Sequence, residues 1–218
     1  HVEAEGIAGN ISYECFGPYK LDGTAPELIN FRVDGGYSSN NNTYWVSKDG
    51  DKKELNVYIE SKDTLSGMGY SYLRIPQTGN YGSYHDFSNS SPTNNIERFP
   101  SSPESEYIHY ASAQRITKDD GIYEVKFILE GLNDFIGDLH HNFEDKVGNE
   151  SGYQDSEYKI AVDTKGPEIS YSVEEGGLIT GNDASVEVSA TDISGINNMS
   201  SGVRSIRYAI SNSSTIPS

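Results

Sequence analysis

The chain has a single cysteine, Cys15, in 218 residues, so no intramolecular disulfide can form. Basic residues are scarce: 16 Lys and Arg stand against 33 Asp and Glu, for a net charge of −17. A nucleic-acid partner needs a basic stripe to neutralise phosphates, and none is present. An anionic membrane surface is disfavoured for the same reason. No apolar run approaches the ~18 residues of a membrane span, which excludes membrane insertion by this segment. No signal peptide opens the sequence; His1-Val2-Glu3 reads as an interior point of a longer chain or a processed end. No amphipathic helix of about 10 residues can be traced, and hydrophobic residues make up only 34%.

Tyr is present in strength, with 16 residues, and Tyr, Val and Ile are strand formers, so the low hydrophobicity does not signal disorder. "LNVYIES" (55–61), "IYEVKFIL" (122–129), "YKIAV" (158–162) and "ASVEVSA" (184–190) alternate apolar and polar residues with period two. That is the mark of strands with one buried face. The turn signals "KDGD", "KDDG", "VGN", "EEGG" and "TGND" separate them. The expected fold is all-β, an antiparallel sandwich with Val57, Ile59, Val125, Phe127, Ile160 and Val162 facing inward.

The chain also resembles itself. "YKLDGTAPEL" (19–28) aligns with "IAVDTKGPEI" (160–169) at an offset of 141, the spacing of Pro26 and Pro167. "AGNIS" (8–12) matches "VGNES" (147–151), "LNVYIESKDTLSG" (55–67) resembles "VEVSATDISG" (186–195), and "SGMGYSYLRI" (66–75) pairs with "SGVRSIRYAI" (201–210). Similar segments in the same order are the signature of tandem modules. Residues 1–24 are read as the tail of a preceding module, 25–165 as a complete module and 166–218 as the head of a following one. A seven-strand sandwich needs about 100 residues, so 76–110, rich in Ser, Asn, Pro and Tyr, and 131–143 are read as insertions.

The "ATDISG" strand end, the "GVRSIRYAIS" and "GIYEVKF" strands, the "DKVGNES" turn and the "AVDTKGPEI" junction together resemble the bacterial Ig-like domains of large surface proteins and adhesins. The resemblance covers nearly the whole chain outside the two insertions. It implies tandem Ig-like sandwiches acting as rigid spacers or adhesive modules, some binding calcium at their junctions, and it implies no catalysis. Extracellular chains without disulfides fit a bacterial or archaeal cell surface better than the eukaryotic secretory pathway. The expected partners are neighbouring Ig-like modules of the same polypeptide or adjacent copies, and a glycan or a host or cell-surface protein.

Calcium takes six to eight oxygen ligands, and acidic loops supply them. The candidates are Asp145 and Asn149 on the "DKVGN" turn, Asp22 and Asp163 on the two junctions, and Asp63 and Asp192 just after strands. Read blandly, these are turn residues whose side chains bond nearby backbone N–H groups. Pro26 and Pro167, with φ fixed and no N–H, begin new strands after short connections that limit the angle between modules. Tyr81, Tyr84, Tyr107 and Tyr110, around the first insertion, are candidates to stack on sugars; packing on their own sandwich is the alternative. His140 and His141 are adjacent and on a strand point to opposite faces, and Cys15 has no nucleophile motif around it, so an enzyme is not expected. The leading expectation is a structural or adhesive stalk segment. An accessory carbohydrate-binding module of a secreted enzyme and a subunit of an extracellular filament or surface layer are the alternatives. The partial modules at both ends are expected to expose apolar faces, whether the chain continues or completes itself between molecules.

Overall fold

The structure is a computed structural model that describes residues 2–39, 41–48, 50–76, 84–89, 97–98, 107–119, 121–172, 185–193 and 200–208. Its described residues are strands, turns and irregular segments, with no helix among them. In chain order the strands are β1 (Val2–Glu5), β2 (Ile11–Glu14), β3 (Glu27–Gly35), β4 (Tyr37–Ser38), β5 (Thr43–Ser47), β6 (Glu54–Lys62), β7 (Met68–Pro76) and β8 (Tyr84–Asn89). There follow β9 (Glu97–Arg98), β10 (Ile108–Asp119), β11 (Ile122–Gly131), β12 (Phe135–Asp145), β13 (Gln154–Asp163), β14 (Glu168–Tyr171) and β15 (Val188–Thr191).

Strands between Glu27 and Asp163 build two sheets. The smaller is ordered β10-β11-β6-β3 and the larger β4-β5-β13-β12-β7-β8-β9. Period-two alternation gives each sheet one apolar face, and the two faces close on a common core. Phe31, Leu55, Val57, Ile59, Val125 and Phe127 enter it from the smaller sheet; Val46, Leu73, Ile75, Leu139, Phe143, Ile160 and Val162 enter from the larger. The six residues expected to face inward are all buried. Burying each such side chain is worth about 1.5–3 kcal/mol, so the core is the main source of stability.

Among the described residues, all pairings in the sandwich are antiparallel except one. β5 runs parallel to β13, with Tyr44 opposite Ile160 and Val46 opposite Val162. The cause is a sheet change at Gly35-Gly36. Both glycines have positive φ, and a Cβ on either would lie 2.7 Å from a carbonyl oxygen, that of Glu54 or Trp45. The chain leaves the smaller sheet there, crosses the end of the sandwich and lies beside the last strand of the larger one.

Residues 131–143, read from the sequence as an insertion, are instead part of the central fabric. They hold most of β12, which pairs with β13 on one side and β7 on the other. The strand is hidden in the sequence because Gly137, His141 and Asn142 occupy buried positions where an apolar residue would have completed the pattern. The stretch 76–110 also contributes to the sheets. Its described part includes β8, paired with β7, and β9, paired with β8. Outside the sandwich, β1 and β2 form a hairpin and β14 pairs with β15. Ile11, Tyr13, Ile169 and Tyr171 on these strands are exposed.

Candidate functional site

At the end of the sandwich where residues 15–26 lead into β3, three loops meet. Asp22 comes from the connecting segment, Asp63 follows β6, and Asp145 ends β12. One carboxylate oxygen from each lies within 4.8 Å of the others, and Asp63 and Asp145 are buried. Each carboxylate is wrapped by backbone N–H groups, the ordinary chemistry of aspartate in turns. Asp22 Oδ1 accepts from Thr24 N–H at 3.0 Å and from the Thr24 hydroxyl at 2.9 Å. Its Oδ2 accepts from Ser66 N–H at 2.9 Å. Asp63 Oδ1 accepts from Leu65 and Gly67 N–H at 2.8 and 3.0 Å. Asp145 Oδ1 accepts from Val147 and Asn149 N–H at 2.9 and 2.8 Å.

For Asp22 and Asp145 the donors favour the charged form. The Thr24 N–H and then the Ser66 hydroxyl lower Asp22 to about 2, against a smaller opposing effect of burial. For Asp145 burial pushes upward, but the Asn149 N–H and side chain together with the Val147 N–H outweigh it, and the group sits below its ordinary value. Three carboxylates are gathered within 4.8 Å, and carboxylate oxygens are the ligand type of a hard cation such as calcium. Asn149 stands beside this cluster. Its amide nitrogen donates to Asp145 Oδ2 at 2.7 Å and to the Asp22 carbonyl at 3.2 Å. It therefore ties the connecting segment to the β12–β13 turn.

The remaining two candidates lie at the other junction, where β13 leads into β14. Asp163 Oδ1 accepts from Lys165 N–H at 3.2 Å and Oδ2 from Ser201 N–H at 3.0 Å. Asp192 Oδ2 accepts from Gly202 N–H at 2.7 Å and from the Ser201 hydroxyl at 3.2 Å. The six residues are therefore two sets, Asp22, Asp63, Asp145 and Asn149 at the first junction and Asp163 with Asp192 at the second. The bonds match one for one: Asp22 to Ser66 as Asp163 to Ser201, and Asp63 to Gly67 as Asp192 to Gly202. Strand register matches too, with Glu27 opposite Lys62 and Glu168 opposite Thr191. The turns agree as well: Gly6 N–H donates to the Asn10 carbonyl as Asp145 N–H donates to that of Asn149.

Ser66 and Ser201 were not singled out from the sequence. Their signal was the Ser-Gly pair that opens the aligned segments 66–75 and 201–210.

The chain matches no protein-family model, and no curated protein matches it in sequence.

Of the four candidate tyrosines, only Tyr107 has its side chain among the described residues. Tyr107 is half-buried, its ring 5.5 Å from that of Phe135 and packed against the core. Tyr84 opens β8 and Tyr110 lies on β10, but their side chains, like all of Tyr81, fall outside the described residues. His140 and His141 do separate as the strand period requires. His141 is buried, its ring 5.2 Å from that of Phe143 and 5.8 Å from that of Phe31, which is a core position and not a ligand's.

Proposed function

We propose that this chain is a non-catalytic spacer: Ig-like sandwiches joined at stiff junctions in a stalk on the surface of a microbial cell. The observation that carries this reading is the recurrence of one aspartate–serine bond at both junctions, Asp22 with Ser66 and Asp163 with Ser201. Asp22 lies on the connecting segment and Asp163 at the end of β13, and each serine lies on a loop of the unit that follows. A carboxylate held this way ties the connection to the next unit at a second point, which narrows the angles the two can adopt. At the first junction Asn149 adds a third tie through the Asp22 carbonyl. A short connection with repeated ties yields a rod, where a flexible linker would yield beads on a string.

Strand order supports the Ig-like part of the reading. Taking β3, β6, β7, β10, β11, β12 and β13 as strands A, B, C, D, E, F and G, the smaller sheet is D-E-B-A and the heart of the larger is G-F-C. That order matches the strand order of an immunoglobulin sandwich, and β8 and β9 extend the second sheet in the manner of the extra strands of variable domains. Among the described residues no helix is long and apolar enough to cross a membrane.

Calcium extends the proposal. Asp22, Asp63 and Asp145 would hold it, and the ion's charge would cross-link the connecting segment to both loops. Asp163 and Asp192 would play the corresponding part at the second junction.

Small-angle scattering tests the spacer reading. The wild-type chain should give a narrow distribution of interdomain distances, and Asp22→Ala and Asp163→Ala should each broaden it. A broad distribution in the wild type, unchanged by either substitution, would refute it.

A further inference from the structure

The second junction holds a feature that a spacer does not require. A cleft of about 340 Å³ opens between the edge of the larger sheet and the segment 201–204. This is the lower end of the size range of small-molecule sites, which favour the boundaries between structural units. It is too small for a folded partner.

Its floor is aromatic. Tyr37 on β4 and Trp45 on β5 are directly opposed in the antiparallel pairing, so their side chains share a face of the sheet. Val46, next to Trp45 on β5, packs in the core, so by alternation the face shared by Tyr37 and Trp45 is the outer one. Tyr37 is 53% exposed, and Trp45 is only partly covered. The platform depends on Gly36, whose positive φ and lack of a side chain let β4 approach the Trp45 carbonyl. The opposite wall, Val203 and Arg204, follows Ser201 and Gly202, which Asp163 and Asp192 fix in place.

Two cations line this cleft, Lys52 and Arg204, both exposed. Lys52 is held beside the platform by its own carbonyl, which accepts Ser47 N–H at 3.0 Å. The one acid in the lining, Asp163, has both carboxylate oxygens occupied by backbone N–H groups. The lining therefore holds two cations against one carboxylate, and that carboxylate is held by two backbone N–H groups. This runs against the sign of the chain, whose net charge is −17.

We propose that this cleft binds a single pyranose ring bearing an anionic substituent, a carboxylate or a sulfate. A sugar ring lays its apolar C–H face on Tyr37 and Trp45, while Arg204 and Lys52 take the anion through charge-assisted hydrogen bonds. The inference goes beyond the spacer reading and does not rest on it: scattering reports the junction angle, whereas binding is read at the cleft.

Trp45 is the only tryptophan, so its emission reports the cleft directly. Oligomers of glucuronic acid and a sulfated oligosaccharide should each shift or quench it, and isothermal calorimetry should find binding near the millimolar range. Neutral glucose oligomers of the same length should bind about tenfold more weakly or not at all. Tyr37→Ala should weaken acidic oligomers about tenfold, and Arg204→Gln should abolish the preference for acidic over neutral oligomers. Both residues are exposed, so circular dichroism and melting temperature should stay at wild-type values; Lys52→Gln serves if either variant misfolds. Equal binding of neutral oligomers, equal binding of a polyglutamate peptide, an unmoved Trp45 emission, or binding that survives Tyr37→Ala combined with Arg204→Gln would each overturn the proposal.

Discussion

Asp22 and Ser66 stand 44 positions apart and are joined by one bond, the Ser66 N–H donating to Asp22 Oδ2 at 2.9 Å. The bond spans the boundary between the connecting segment and the sandwich. It couples the direction of the incoming chain to the loop that separates β6 from β7, the same loop that supplies Asp63. Because Asp22 is at once an acceptor for Thr24, an acceptor for Ser66 and a neighbour of two buried carboxylates, its charge state governs the whole junction.

The junction should therefore loosen in acid. Asp22 sits at about 2, below its ordinary 3.8, because the folded state prefers the anion. Its contribution is complete above the ordinary value and is lost as pH falls through about 2. Scattering from pH 5 downward should show the interdomain distances broaden only below about pH 4. Asp22→Asn should be broad throughout. Broadening that begins near neutrality would point to another group.

Calcium should raise the melting temperature in proportion to the logarithm of its concentration once binding is saturated. Asp63→Asn and Asp145→Asn should each reduce the response, since each removes one of three carboxylates gathered within 4.8 Å. Magnesium, which demands a tighter octahedral shell, should be less effective. A flat response to calcium in the wild type would leave the cluster as turn aspartates alone.

His141 sets a second pH dependence inside the sandwich. Burial, with a further push from His140, lowers it to about 4 from 6.5, against a pull from Asp155. The unfolded chain thus binds a proton that the folded chain refuses between those values. Stability should fall as pH drops from 6.5 to 4, by about 3 kcal/mol in all. His141→Phe, set between Phe31 and Phe143, should flatten that part of the curve. Chemical denaturation at a series of pH values measures both.

Leu139→Ala tests the place of β12 in the core. Leu139 is fully buried in the shared cluster, so its truncation should cost about 2–5 kcal/mol. Were residues 131–143 a surface insertion, the change would cost little. Urea denaturation decides between the two.

Gly36→Ala should act on both fold and cleft. Its φ is 56° and an added Cβ would lie 2.7 Å from the Trp45 carbonyl oxygen. Strain of this kind costs about 1–3 kcal/mol. The urea midpoint should fall, and Trp45 emission should move to longer wavelength as β4 withdraws from the platform.

Local chemistry reaches some of these results without help. Alternation in 55–61, 122–129 and 158–162 is enough to place β6, β11 and β13 and to orient Val57, Phe127 and Ile160, because a strand's side chains alternate whatever lies around them. Shared order in the aligned segments is enough to pair Asp22 with Asp163 and Asp63 with Asp192. Other results needed the folded chain. β12 is a central strand although Gly137, His141 and Asn142 break its pattern, because neighbours on both sides supply its hydrogen bonds and the surrounding rings accept an imidazole. Ser66-Gly67 had two counterparts in the sequence, Ser194-Gly195 and Ser201-Gly202, and the hydrogen bonds of Asp163 and Asp192 select the second. The division of six candidate ligands into a set of four and a set of two, and the meeting of Tyr37 with Trp45 and Arg204, follow from which loops share an end of the sandwich. Spacing along a chain fixes only what lies within a few residues; contacts across 44 or 127 positions exist only once the sheets have closed.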